Sequence, residues 1–270
     1  MTRAAMLRML AVLCLALVPA LALAAPPEPK GKLVYEDDFS DKTKSGLEDN
    51  LKATDYSRGF HAPGYYHLKD LKANEIHWSL FPKQRYTNLT FELDVFDNSD
   101  DFTGDVWQGV VVRAQDEAHF YAVLLNPRAG KYTVRKLDGA GKWSDLVAPA
   151  DSKLIKSGAE INRLRVDADA ASFTIYLNGE QLGTFSDAAY KQGGIGVIAA
   201  NVDAVTMHMH FDNVKVYTTD AGAPVVGSSG GASAPSALPR TGAAETLPAL
   251  LLASLAALLL ALGALARRRA

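Results

Sequence analysis

Hydrophobic and polar residues alternate with a period of two through much of the stretch between Lys32 and Tyr217. Leu89, Phe91, Leu93 and Val95 interleave with Thr90, Glu92 and Asp94. Leu164, Val166 and Ala168 interleave with Arg163, Arg165 and Asp167, and Phe173, Ile175 and Leu177 with Thr174, Tyr176 and Asn178. Val205, Met207, Met209 and Phe211 do the same with Thr206, His208, His210 and Asp212. Successive side chains of a strand point to opposite faces, so each run predicts a half-buried strand. Residues 107–114 and 119–126 are apolar almost throughout, which predicts strands covered on both faces. Turn residues divide the runs at 126–130, at 138–141 and at Asn178-Gly179. One helical turn is expected near residues 186–191. Roughly a dozen strands without an internal repeat predict an all-β fold, a two-sheet antiparallel β-sandwich of jelly-roll type.

The two ends of the 270-residue chain have a different composition. Residues 1–25 read as a signal peptide, with Arg3 and Arg8 before an apolar run at 9–18 and Ala22-Leu23-Ala24 as a small-x-small cleavage site. The single cysteine, Cys14, falls in this leader, so the body has no thiol to form a disulfide or bind a metal. Residues 26–218 form the domain, and 219–237 are an Ala/Gly/Ser/Pro-rich linker. Residues 238–270 follow as a third kind of segment. There, Leu238, Pro239, Arg240, Thr241 and Gly242 resemble the LPxTG motif of cell-wall-anchored surface proteins. The uncharged run 247–266 is long enough, at 1.5 Å per residue, to cross about 30 Å of hydrocarbon as a transmembrane helix. Arg267, Arg268 and Arg269 would hold its end on the cytoplasmic side. The resemblance implies a sortase that cleaves after Thr241 and joins it to peptidoglycan. The chain is then secreted and anchored to the cell wall or the outer face of the cytoplasmic membrane.

Net charge is −2 for the whole chain, and the body is more acidic once the arginine-bearing ends are set aside. That argues against nucleic acid as a partner, because phosphate binding needs a basic face. No nucleotide-binding, zinc-protease or serine-nucleophile motif is present.

Several short runs carry a second resemblance: Asp37-Asp38-Phe39-Ser40-Asp41, Gly109-Val110-Val111-Val112-Arg113, Tyr176-Leu177-Asn178-Gly179 and Phe211-Asp212-Asn213-Val214. In this order they resemble the concanavalin A-like, laminin-G-like jelly rolls of bacterial extracellular proteins, including family 16-like and 3-keto-disaccharide-hydrolase-like domains. The resemblance implies the sandwich fold. It leaves open hydrolases, lectins and adhesion modules.

Five groups of residues could carry chemistry. Glu92, Asp94 and Asp97 resemble the E-x-D-x-x-E strand of family 16 glycoside hydrolases, provided a bulge at Phe96 returns Asp97 to the face of the other two. The last acid is Asp rather than Glu, so a solvated strand face is the plainer expectation. Asp97, Ser99, Asp101, Thr103 and Asp105 place oxygens at every second position, as a calcium loop does, but lack its glycine and terminal glutamate. Asp37 or Asp38 would converge with Asp212 if the first and last strands pair, which makes Asp38 and Asp212 the candidate metal ligands, for calcium. His208 and His210 share a strand face at a spacing two metal-bound imidazoles could use, and an exposed face is the plainer expectation. Trp143, Trp107 and Trp78 could stack on sugar rings, or fill the core. The sequence is thus read as a surface-anchored, non-catalytic binding module for glycan or another extracellular partner, needing no cofactor beyond that calcium. A surface glycoside hydrolase is the alternative, and a purely structural envelope protein a further one.

Overall fold

The computed structural model describes residues 26–50, 56–139, 141–204 and 206–221, and the backbone of 245–246. The expected signal peptide, most of the linker, the LPxTG motif, the run 247–266 and Val205 lie outside the described residues. Among the described residues no helix is long and apolar enough to cross a membrane.

The body is an all-β sandwich of two antiparallel sheets. Its strands are β1 (Lys32–Asp37), β2 (Tyr56–His61), β3 (Tyr65–Asp70), β4 (Glu75–Tyr86), β5 (Leu89–Asp97), β6 (Val106–Asp116) and β7 (His119–Asn126). They continue with β8 (Lys131–Asp138), β9 (Trp143–Asp151), β10 (Asn162–Asp169), β11 (Ser172–Leu177), β12 (Glu180–Ser186), β13 (Gly193–Asn201), β14 (Met207–Thr218) and β15 (Glu245–Thr246). The first sheet runs β12-β11-β10-β5-β14-β3-β2, with β1 added to β14. The second runs β15-β4-β13-β6-β7-β8-β9. At twelve residues, β14 is long enough to pair with β3 through Met207–Phe211 and with β1 further on, where Val214 meets Asp37 and Thr218 meets Lys32.

The period-two runs become the inner faces. Phe91, Leu93 and Val95 of β5 and Met207, Met209 and Phe211 of β14 pack across the sandwich against Val110, Val112, Tyr121, Val123 and Leu125. Each such side chain contributes about 1.5–3 kcal/mol by leaving water. β6 and β7 are buried on both faces, as their unbroken apolar sequence predicts. A second apolar cluster, with Ile76, Trp78, Leu80, Trp107, Val111, Phe120 and Leu124, covers the outer side of their sheet. The Asn178-Gly179 hairpin turn forms with both residues at positive φ, 53° and 91°, the geometry that Asn-Gly accepts most readily.

The helical turn expected at residues 186–191 is absent. Asp187 instead accepts bonds from Tyr121 Oη (2.6 Å), Lys136 Nζ (2.9 Å) and Ala189 N (2.8 Å), while Tyr190 N donates to Tyr121 Oη. These side-chain bonds take the groups a helical turn would need. A single helical turn, α1 (Lys42–Ser45), forms elsewhere, capped by the Asp41 carboxylate on Thr43 N at 2.9 Å.

Candidate functional site

The outer face of the first sheet is charged because β5, β10 and β14 each turn their polar residues outward. Strand register then sets opposite charges side by side: Glu92 faces Arg165 and Lys215, and Asp94 faces Arg163. Arg163 grips Asp94 with two bonds, Nε to Oδ1 at 2.9 Å and Nη2 to Oδ2 at 3.2 Å. Asn213 Nδ2 adds a third bond to the same carboxylate, at 3.0 Å. Arg165 is fixed from four sides. It bonds Asp167 at 2.7 and 2.8 Å and the Pro27 carbonyl at 2.5 Å, lies 3.8 Å from Glu92, and sits 4.9 Å above the Tyr176 ring. Pro26 to Pro29, Asn178 and Tyr217 complete a cleft of about 630 Å³ around these groups. Burial pushes the Glu92 carboxyl above its ordinary range despite the opposing pull of Arg165, Lys215 and Arg163.

Asp97 does not join Glu92 and Asp94. The expected bulge at Phe96 is absent: Val95, Phe96 and Asp97 face Phe211, His210 and Met209 in unbroken register. Asp97 therefore points to the opposite face from Asp94 and is fully buried. It accepts a bond from Arg128 Nε at 2.8 Å. The same guanidinium reaches Ser99 Oγ (3.0 Å), the Thr206 carbonyl (3.1 Å) and the Thr103 carbonyl. Arg128 thus supplies the positive charge that gathers the Asp97–Asp105 loop. Asp101 caps Thr103 N at 2.7 Å, and Asp105 accepts from Asn126 Nδ2 at 3.2 Å.

Asp38 and Asp212 are brought near each other by the β1–β14 pairing that joins Asp37 to Val214. Burial raises the Asp212 carboxyl to about 6, helped by the charges of Asp94, Asp38 and Asp37. Asp38 spends one oxygen on Ser40 N (3.1 Å) and Oγ (2.6 Å), and Lys44 and Lys215 line a small hollow beside it.

All three tryptophans lie on the second sheet, facing away from the first. Trp78 and Trp107 are only 1% and 5% exposed, and Trp143 is half-buried. Trp78 and Trp143 both meet the Phe120 ring edge-on, with centroids 5.3 and 5.7 Å away, and Arg135 lies 5.5 Å over Trp143. Trp78 Nε1 donates to Glu117 Oε2 at 2.7 Å, and burial raises the Glu117 carboxyl to about 7. A carboxyl raised in the folded state favours folding when protonated and costs stability as pH climbs from its unfolded value toward 7. Glu117→Gln should therefore raise the melting temperature at pH 8 and leave it nearly unchanged at pH 4, measured by thermal unfolding at both pH values.

His208 and His210 do share one face of β14. The register brings His67 of β3 directly opposite His210, a neighbour the alternation pattern alone did not reveal.

No protein-family model matches the chain, and no curated protein matches it. Among solved structures, the chain is similar to the carbohydrate binding module CBM66 from Bacillus subtilis, with 15% identity and a TM-score of 0.50 over 61% of this chain and 92% of that one. It is also similar to a Bacillus subtilis protein of unknown function with a galectin-like fold (12% identity, TM-score 0.49, 69% and 96% covered). A Bacillus licheniformis beta-glucanase follows (10%, 0.47, 70% and 99%). The likeness to the CBM66 structure is one of fold alone, a two-sheet antiparallel β-sandwich. Fold does not fix function, so function has to be argued from the site.

Proposed function

We propose that the chain is a secreted, surface-anchored module that binds glycan without cleaving it, at the Glu92–Asp94–Arg163–Arg165 cleft. The observation that carries this reading is the fixed pairing of carboxylates and guanidinium groups around an open cleft. Flat groups with two bonding atoms each match the adjacent hydroxyls of a sugar ring. Here they are held in place before a ligand arrives, which lowers the ordering cost of binding. Tyr176 and Tyr217 add apolar ring surface beside them.

The same geometry disfavours hydrolysis. Glycoside cleavage uses two carboxyl groups about 5–10 Å apart on either side of the scissile bond. Asp94 is committed to Arg163 and Asn213, and Asp97 faces away, so Glu92 has no free partner carboxylate in that motif. Anchoring rests on the sequence of the two ends. A sortase would be the processing partner and peptidoglycan the attachment, and a linker of about 19 residues has a root-mean-square span of only about 25 Å. The module would work close to the envelope.

A glycan-array screen of the secreted chain tests this reading. Arg163→Ala and Glu92→Gln should each weaken the strongest signals by about 10-fold or more, since hydrogen bonds to charged groups contribute about 1.5–3 kcal/mol. An array signal that both variants leave intact would remove the cleft from the account.

A further inference from the structure

The outer face of the first sheet holds a second cluster, on β3 and β14, built almost entirely of histidine. His208 Nε2 lies 2.9 Å from His67 Nδ1 and 3.0 Å from His210 Nε2. An imidazole nitrogen carries either one N–H or one in-plane lone pair. Neither can be aimed at two partners at once, so no choice of tautomers turns both contacts into straight hydrogen bonds. His67 and His210 are 5% and 2% exposed, and no carboxylate bonds any of the three rings among the described residues. The contrast with His77 is direct. That ring is also buried, but its Nε2 meets Asp70 Oδ2 at 2.6 Å, so a single proton satisfies the pair.

We propose that His67 Nδ1, His208 Nε2 and His210 Nε2 bind one divalent transition-metal ion of the zinc type, with the fourth position open to solvent beside His61. Zinc takes imidazole nitrogen at about 2.0–2.1 Å in a tetrahedral site, which sets ligand nitrogens about 3.3 Å apart. The two contacts at 2.9 and 3.0 Å need to open by only a few tenths of an ångström to reach that spacing. An all-nitrogen donor set selects zinc, copper, nickel or cobalt and excludes calcium and magnesium, which take oxygen.

The supporting parts are rigid. His67 and His210 are paired across two hydrogen-bonded strands, and His208 N donates to Ser99 Oγ at 2.9 Å. Tyr65 stacks on the His210 ring at 5.2 Å, and Phe96 meets it edge-on at 5.0 Å. Burial and the neighbouring imidazoles hold His67 at about 4 and His210 at about 3, while burial and Lys69 hold His208 at about 4. The exposed His61 ring lies 5.5–6.1 Å by centroid from all three. Three fixed protein ligands and an open position are the arrangement through which zinc sites take a water or an external ligand.

The test uses the full chain in detergent, without an affinity tag, stripped of metal by a chelator. Cobalt(II) is titrated as an optical probe, and zinc is then added to displace it. Wild type should bind one cobalt ion per chain with the visible bands of a tetrahedral site, and zinc should raise its melting temperature. His67→Gln and His208→Gln should each lose more affinity than the ~10–100-fold that removal of an outer-shell partner costs. His119→Gln should bind as wild type, since His119 bonds Asp116 away from the cluster. Circular dichroism separates lost binding from lost folding, and the zinc-dependent rise in wild type needs no variant at all. The proposal fails if wild type shows no stoichiometric cobalt spectrum and no zinc-dependent rise. It fails equally if both glutamine variants bind as tightly as wild type.

Discussion

Replacing Arg128 with alanine is expected to destabilise the sandwich by about 3–5 kcal/mol, the cost of leaving one member of a buried ion pair alone. The Asp97 side chain is 0% exposed and that of Arg128 is 5% exposed. The guanidinium also ties Ser99 Oγ and the carbonyls of Thr103 and Thr206 to Asp97, so its loss takes a donor from four acceptors at once and, among the described residues, leaves Asp97 with only the Ser99 N and Oγ bonds. Water that enters the space can serve the carbonyls near the surface, but it leaves a full negative charge beneath them. For a domain of this size each kcal/mol moves the melting temperature by roughly 2–4 °C. The fall should be on the order of 10 °C in thermal unfolding followed by circular dichroism. Arg128→Lys keeps the charge and loses the fork, so it should fall between the two. A loss below 1 kcal/mol for Arg128→Ala would show that the pair is not a buried anchor.

Thr241→Pro should give the largest change in where the protein is found. On the sortase reading proposed above, the motif would present its Thr–Gly bond to a nucleophile. Proline at the cleaved position fixes φ near −65° and removes a backbone N–H, so the segment can no longer be held in the enzyme in the same way. In cell fractions, wild-type protein should be covalently linked to wall material. The variant should stay in the membrane fraction and be extracted by detergent, with the run 247–266 retained. Equal wall-linked yields from the two would overturn the sortase assignment and leave a simple membrane anchor.

The sandwich was legible wherever one face of a strand is buried and the other wet. Alternation at 89–95, 164–168, 173–177 and 207–211 marked β5, β10, β11 and β14 correctly, and the doubly apolar runs marked β6 and β7. β4 left no such trace. It is buried over most of its length and carries Pro82 within it, so neither alternation nor composition sets it apart. The site was half legible for a related reason. Glu92 and Asp94 could be assigned to one face from spacing alone. Their partners Arg163, Arg165 and Asn213 depend on which strands lie side by side, which period-two alternation does not encode. His67 was hidden in the same way, since a lone histidine on β3 gains meaning only when register sets it opposite His210. Asp97 was misplaced because the expected bulge was inferred from a family motif, while the strand itself keeps plain alternation through Phe96.

Calorimetric titration of the full chain in detergent decides between binding and cleavage at the Glu92–Asp94 cleft. The ligand is the best glycan from the array, and the recovered glycan is then analysed by mass. Saturable one-to-one binding is expected, with a ligand of unchanged mass after prolonged incubation and a loss of binding heat in Arg163→Ala. Shortened glycan products that disappear in Glu92→Gln would contradict it and make the protein a hydrolase.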